Sequence, residues 1–212
     1  MSDDPADLVI ALAPRAARTA LQSLFALDRR LGQTVASTRE PIVGQMRLIW
    51  WRDSLTRLDD APAPSEPILR AVADHLIPRG IKGADLAAMT AGWEVLVAAD
   101  SLDTPTRVRH AADRGARLFA IAARVLDTDE PQIAEAGRGW ALADLAQHLA
   151  VSLVAEDART ESREALARAF AGRWARAARP LGILALLAGR ETSDPSWRAA
   201  LAFLRFRTTG RC

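Results

Sequence analysis

The stretch that decides the fold runs from Pro41 to Asp53 and reads PIVGQMRLIWWRD. Proline suits the first turn of a helix, and the apolar residues after it recur at helical spacing, which predicts a helix over residues 41–58. Neighbouring side chains on a helix point about 100° apart, so we expect one of Trp50 and Trp51 in the core and the other lodged between helices. As a bare pattern, the stretch favours core packing over ligand binding.

Helical patterns continue on both sides of this stretch. Residues 14–36 have the pattern of an amphipathic helix. Further helical patterns cover residues 67–76, 84–99, 106–126, 131–155, 162–178, 181–187 and 196–207. Runs of β-branched residues with period-two alternation are absent from the sequence. The sequence therefore predicts an all-α fold.

The architecture that we expect is a single-domain helical bundle of about eight helices over residues 1–212, because no linker or repeat divides the chain. Residues 1–13 are expected to be a loosely ordered N-terminus. The helices predicted at 14–36, 41–58 and 131–155 are expected to form the walls of one cavity, since the first two are amphipathic and the third is almost continuously apolar.

Composition excludes several classes of protein. Half of the 212 residues are apolar and a quarter are charged, which excludes a disordered tail or a collagen-like repeat. The 28 basic and 26 acidic residues nearly balance, so we expect no nucleic-acid partner. The one cysteine, Cys212, excludes an internal disulfide and a cysteine-based zinc site, and it favours a reducing compartment.

Membrane insertion and export are not indicated. The chain begins with acidic residues where a secretory signal needs basic ones. The charge-free stretches at 145–155 and 180–189 have about half the ~20 residues that a membrane-spanning helix needs. We therefore expect a cytoplasmic protein with no transmembrane segment; the alternative is a peripheral position at the inner membrane.

Common catalytic and metal-binding patterns are missing from the sequence. The three histidines, His75, His110 and His148, lie far apart and do not form an HExxH motif. No phosphate-binding glycine loop and no GxSxG nucleophile turn is present. Nucleotide binding by those loops and serine hydrolase chemistry are therefore not expected.

The stretch at 41–53, together with residues 23–30 and 39–40, resembles the first third of the squalene/phytoene synthase family, and weaker similarity continues to about residue 190. That resemblance implies an isoprenoid-synthase fold whose cavity carries two aspartate-rich motifs on facing helices. Carboxylates four residues apart share one helix face, and two such motifs hold the Mg²⁺ ions that ionise a prenyl diphosphate in these enzymes.

The chain departs from the family at those motifs. Matching residues 24–29 to the family's first motif places Gly32 and Ala36 where its two aspartates belong. In the second motif, the family's Asn, Arg and paired Asp positions fall on Asp144, Gln147, His148 and Ser152, of which only Asp144 is acidic. The resemblance therefore implies four lost motif positions, no catalytic residue, no metal site and no cofactor.

Two alignments of the second motif stay open. The motif matches either residues 144–152 or a register displaced by a few residues, because residues 156–159 resemble its end. Within the family, the pattern resembles the branch of the mitochondrial complex I assembly factor and its bacterial relatives. The implied protein is a catalytically degenerate family member that acts as a non-enzymatic assembly or lipid-binding factor. Its partner would be a protein or a prenyl lipid near the membrane.

The alternative function is an active prenyltransferase that condenses two prenyl diphosphates head to head with Mg²⁺. For either function, the candidate ligand-binding residues are Asp28, Arg29, Arg47, Arg52 and Asp144. The residues assigned to the structural motif are Gln45, Arg47, Trp50, Trp51 and Asp53. A buried guanidinium without a partner is costly, so Arg47 is expected to pair with Asp28 or Glu94.

Overall fold

Every regular element in the described part of the chain is helical, and the predicted all-α fold class is confirmed. The structure, a computed structural model, describes residues 5–149, 153–190 and 196–212, with the backbone alone at 196–200. The α-helices are α1 Pro5–Leu12, α2 Arg15–Ala36, α3 Pro41–Arg57, α4 Pro67–His75, α5 Gly83–Ala87, α6 Thr90–Ala98, α7 Thr104–His110, α8 Arg117–Val125, α9 Gln132–His148, α10 Leu153–Ala169, α11 Arg179–Ala188 and α12 Ser196–Thr209. A 3₁₀ turn spans Ile77–Arg79, and a π-helical segment, Ala111–Ala116, joins α7 to α8.

Helix starts follow the signals in the sequence. Pro41 occupies the first turn of α3, where its missing N–H leaves no hydrogen bond unmade. At the start of α7, the Asp103 carboxylate caps the helix by accepting a hydrogen bond from the Thr106 N–H at 3.0 Å. These local signals explain why the starts of both helices lie close to their predicted positions.

The helices are shorter and more numerous than the eight that we expected. The pattern at 84–99 divides into α5 and α6, because Met89 and Gly92 each donate to the carbonyl three residues back and tighten the chain there. The pattern at 106–126 contains the π-helical segment between α7 and α8. Periodicity alone does not register such interruptions, since the apolar spacing continues through them.

The prediction of one helix over 131–155 is wrong beyond His148. Leu149 adopts an extended conformation, with φ −86° and ψ 137°, and ends α9. The next helix, α10, begins at Leu153 and runs through positions that the sequence pattern left as a loop. Glu156 supports it by accepting hydrogen bonds from Arg159 at 3.2 Å and Arg163 at 3.0 Å.

Within the N-terminus that was predicted to be loosely ordered, residues 5–12 form helix α1. Ala6, Val9 and Ile10 of α1 are buried and belong to the hydrophobic core, in which α1 packs against α2 and α11. Arg18 fixes the turn after α1 through its Nε, which donates to the Ala13 carbonyl at 3.0 Å.

One cluster of buried apolar side chains extends from α1 to α12. Its largest fully buried members include Phe119, Trp174 and Phe206, whereas α2 supplies a row of buried leucines. Within the described ranges, no helix combines the length and the apolarity needed to cross a bilayer.

Candidate functional site

A buried arginine, Arg114, joins two carboxylates from different helices. Its Nε and one terminal nitrogen donate to the two oxygens of Asp28 on α2 at 3.0 and 2.9 Å. The other terminal nitrogen donates to Asp144 on α9 at 2.5 Å. The Arg114 and Asp28 side chains are 6% and 4% exposed, while Asp144 is 28% exposed and reaches solvent. A bidentate pair of this kind is both strong and directional.

Two tryptophan rings enclose the guanidinium of Arg114. The guanidinium carbon lies 4.2 Å from the ring centroid of Trp93 on α6 and 4.6 Å from that of Trp140 on α9. Contact with two indole rings stabilises the positive charge of this nearly buried guanidinium. The five side chains Asp28, Trp93, Arg114, Trp140 and Asp144 form what we call the arginine cluster.

Close backbone contacts hold the π-helical segment in this position. A Cβ atom added to Gly92 would lie 2.5 Å from the backbone nitrogen of Arg114, so α6 contacts this segment directly. A Cβ added to Gly115 would lie 2.1 Å from the Gly137 carbonyl oxygen of α9. Only glycine permits approaches this close. Arg114 is thereby held between α6 and α9, facing α2.

The electrostatic environment keeps Arg114 charged. Burial by itself would lower its pKa, but the adjacent charges of Asp28 and Asp144 outweigh that effect, and the pKa lies above its ordinary value. The cluster contains two carboxylates and one guanidinium, so it carries no surplus positive charge for an anionic ligand.

His110, next to the cluster on α7, is fully buried and neutral. Its Nδ1 lies 2.6 Å from the Gly92 carbonyl oxygen, which can only accept a hydrogen bond, so Nδ1 carries the proton. Burial and the positive charge of Arg114 lower the pKa of His110 to about 4. Among the described residues, no side chain or backbone group is bonded to its Nε2 or to the Trp93 Nε1.

A pocket of about 510 Å³ opens beside the arginine cluster. Its walls come from α1, α2, α6, α7, the π-helical segment and α9. The apolar part of its lining includes Phe25, Val35, Leu96, Trp140 and Leu145. The volume lies within the range of pockets that hold small organic ligands.

Six of the residues singled out in the sequence line this pocket. Three are ligand-binding candidates and three are positions of the lost motifs; they are Asp28, Arg29, Gly32, Ala36, Asp144 and His148. The fourth lost position, Ser152, lies outside the described residues. The six residues belong to α2 and α9, and both helices line the pocket.

Trp93 occupies the space beside Gly32. A Cβ atom built on Gly32 would lie 2.9 Å from Cη2 of the Trp93 ring, which is closer than real Cβ contacts allow. The side chain of an aspartate at this position would therefore displace the ring. The Trp93 ring also contacts the Arg114 guanidinium, so an aspartate at position 32 would disturb the arginine cluster as well.

Helix α3 does not line the pocket, contrary to our expectation. Arg47 is exposed and donates to Thr38 Oγ1 at 3.1 Å, so the predicted pairing with Asp28 or Glu94 is wrong. Arg52 pairs with Glu94 at 3.2 Å instead. Asp28 is already bonded to the arginine cluster, which explains why it does not attract Arg47.

The structural motif on α3 is only partly buried. Trp51 is 5% exposed and belongs to the core, but Trp50 is 47% exposed, so the prediction that it lodges between helices is wrong. The two rings meet edge to face, with 5.2 Å between their centroids. Gln45 is half-buried, and Asp53 lies on the surface 3.8 Å from Arg52.

The donor groups at the pocket do not fit a cluster of Mg²⁺ ions. Such ions need several carboxylate oxygens free to coordinate them. Asp28 and Asp144 already accept hydrogen bonds from Arg114, and glycine and alanine stand at 32 and 36. Within the described ranges, no group of three His, Cys, Asp or Glu side chains could hold a metal.

Sequence reasoning missed Arg114, Trp93, Trp140 and His110 as site residues. Trp93 and Trp140 lie within the weak family similarities at 91–94 and 139–148, whereas Arg114 directly precedes the one at 115–126 and His110 lies in none of them. Their proximity depends on close packing between α6, the π-helical segment and α9, which residue spacing does not reveal. π-Helical segments often mark functional sites, but this one and the burial of Arg114 are visible only in the structure.

The all-α bundle, with Asp28 and Asp144 lining one pocket, agrees with the isoprenoid-synthase fold that the sequence resemblance implies. Residues 3–106 match the family model for squalene/phytoene synthase. The matched range includes Asp28, Gly32 and Trp93 and ends before Arg114 and Asp144. No curated protein and no solved structure matches the chain significantly.

Proposed function

We propose that this protein is a catalytically degenerate member of the squalene/phytoene synthase family that binds the apolar chain of a prenyl lipid without reacting with it. The observation that carries the proposal is the arginine cluster. In it, both carboxylates that could serve a metal are bonded to a guanidinium of the same chain.

Ionisation of a prenyl diphosphate requires positive charge at the departing group, because negative charge develops there in the transition state. Arg114 cannot supply that charge while two carboxylates neutralise it. Arg29 is the other arginine in the pocket lining, and its side chain is exposed. The local charges thus favour a neutral ligand over a diphosphate.

The lining of the pocket supports a lipid ligand. Aliphatic and aromatic side chains from α2, α6 and α9 offer an apolar surface, and burial of each apolar group contributes favourably to binding. A role as an assembly factor, which the sequence resemblance implies, is compatible with such a pocket. In that case the bound lipid would be a structural component.

Tryptophan fluorescence provides the test, because Trp93 and Trp140 both line the pocket. Titration with the neutral alcohol farnesol should change the emission and saturate. Farnesyl diphosphate should bind no more tightly when Mg²⁺ is added. Tighter binding of the diphosphate that depends on Mg²⁺ would overturn the proposal and support the prenyltransferase alternative.

A matched pair of variants locates the binding. Ala36 is exposed and lines the pocket, so Ala36→Phe should weaken farnesol binding by narrowing the opening. Ala61 is exposed in a loop and does not line the pocket, so Ala61→Phe should bind farnesol as the parent does. Equal binding by both variants would place the ligand elsewhere.

A further inference from the structure

The positive charge of the chain is concentrated near its C-terminal end. Residues 165–212 contain nine arginines and two acidic residues, a net charge of +7, whereas residues 1–164 contain 19 basic and 24 acidic residues, a net charge of −5. The overall charge of +2 conceals this separation. A charge asymmetry of this kind indicates an interaction surface for an anionic partner.

The structure brings many of these arginines together at the end of α12. Arg173 donates to the Thr209 carbonyl at 3.1 Å, and Arg179 donates to the carbonyls of Arg207 and Thr208 at 2.8 and 3.0 Å. We call the following six residues the basic cluster: Arg173, Arg176, Arg179, Arg205, Arg207 and Arg211.

The basic cluster retains its positive charge. Within the described ranges, none of its members forms an ion pair with a carboxylate. The Glu130 side chain accepts hydrogen bonds from the Ala175 N–H at 3.1 and 3.2 Å. Five of the six arginines are exposed, and Arg179 is half-buried.

Apolar side chains lie among these charges. Leu201 and Leu204 of α12 are 58% and 52% exposed. Leu201 shares a helix face with Leu204 and with Arg205, since residues three and four positions apart are neighbours on a helix. Phe206 on another face of α12 is fully buried and fixes the orientation of the helix. The outer face of α12 therefore presents leucines flanked by arginines.

We propose that the outer face of α12 and the basic cluster dock onto a membrane surface that contains anionic phospholipids. Arginines would contact the lipid headgroups, and Leu201 and Leu204 would enter the region between headgroups and acyl chains. The complementary charge argues for an anionic partner, and the exposed leucines argue for a lipid surface over a nucleic acid, whose backbone offers them no apolar contact. The inference does not depend on what the pocket binds.

Sedimentation of the full chain with lipid vesicles tests this proposal. The protein should bind vesicles of phosphatidylcholine mixed with phosphatidylglycerol, and it should bind vesicles of phosphatidylcholine alone much more weakly. Raising the salt concentration should reduce the binding, because salt screens exposed charges. No binding to the anionic vesicles at low salt would overturn the proposal.

Charge-reversal variants locate the surface. Arg205→Glu with Arg207→Glu should weaken binding to anionic vesicles by at least about thirtyfold, since each basic residue near such a surface contributes about fivefold. The control variant, Arg15→Glu with Arg57→Glu, changes two other exposed arginines and alters the net charge by the same amount. It should weaken binding to anionic vesicles by less than about threefold. Equal losses in the two double variants would contradict a localised surface.

Two further variants keep the test decisive. If the first double variant unfolds, as judged by circular dichroism, Arg176→Glu with Arg211→Glu should show the same selective loss. Leu201→Ser with Leu204→Ser should weaken vesicle binding by roughly tenfold at unchanged net charge. Full binding by the serine variant, together with displacement from vesicles by RNA, would assign the cluster to nucleic acid and overturn the proposal.

Discussion

Arg114 and Asp28 are 86 positions apart in the sequence, yet two parallel hydrogen bonds of 3.0 and 2.9 Å join their buried side chains. Asp144 completes the arrangement from the opposite side of the pocket. The Arg114 guanidinium thus binds the two carboxylates that could otherwise coordinate a metal ion. A guanidinium in the place of a metal ion is the feature that supports a degenerate enzyme.

The stability of the arginine cluster gives the first prediction. Arg114→Met should leave Asp28 buried without a partner and lower the free energy of unfolding by about 3–5 kcal/mol in urea titrations. Adding Asp28→Leu should recover part of that loss, because the unpaired charge is removed. Arg117→Met breaks only an exposed pair with Asp113 and should cost less than about 1 kcal/mol. A small, equal effect of Arg114→Met and Arg117→Met would show that the cluster does not contribute to stability.

Restoring a carboxylate at position 32 should destabilise the fold. Gly32→Asp forces the Trp93 ring to move, at a cost of about 1–3 kcal/mol, whereas Ala36→Asp is exposed and should cost less than about 0.5 kcal/mol. A double-mutant cycle with Trp93→Ala should give a favourable coupling energy between positions 32 and 93. Additive effects in that cycle would argue against the contact.

The two adjacent tryptophans should differ in their contribution to stability. Trp51→Ala removes a core side chain and should cost on the order of 3–5 kcal/mol. Trp50→Ala removes a ring that is 47% exposed and should cost about 1 kcal/mol or less. Thermal unfolding measures both changes; if the two variants melted together with the parent, Trp51 would not be a core residue.

His110 should make the protein sensitive to acid. Its pKa is about 4 in the folded chain and about 6.5 in the unfolded chain, so only the unfolded state takes up a proton between these pH values. Stability should therefore fall as the pH decreases from about 6.5 towards 4, by up to roughly 3 kcal/mol from this group. The nearby charged groups are Arg114, Asp28 and Asp144.

Urea titrations at several pH values measure that dependence. His110→Gln should flatten the fall in stability between neutral and acidic pH, even if the variant is less stable overall. His148→Gln, at a side chain that is 75% exposed, should follow the parent curve. A His110→Gln curve parallel to that of the parent would assign the acid sensitivity to other groups.

The sequence predicted the fold class, and it singled out six of the residues that line the pocket, for a physical reason. Amphipathic periodicity and caps such as Asp103 are local properties, so the helices could be located without coordinates. The family resemblance then aligned Gly32, Ala36, Asp144 and His148, which share one pocket.

What the sequence did not reveal depends on contacts between distant helices. Arg114 gains its role from glycine contacts with α6 and α9, and no local pattern distinguishes it from the other arginines. Arg47 was misplaced for the same reason, because Asp28 was already bonded by a residue 86 positions away. The break after His148 was missed because the apolar pattern continues past Leu149.

Release of pyrophosphate from a prenyl diphosphate distinguishes a degenerate family member from a working prenyltransferase. The full chain, incubated with farnesyl or geranylgeranyl diphosphate and Mg²⁺, should release no pyrophosphate above the level in buffer alone. The variant with aspartate at both 32 and 36 should also be inactive, because position 148 would still lack a carboxylate. Release of pyrophosphate by the unmodified protein that EDTA abolishes would contradict the account and establish a working prenyltransferase.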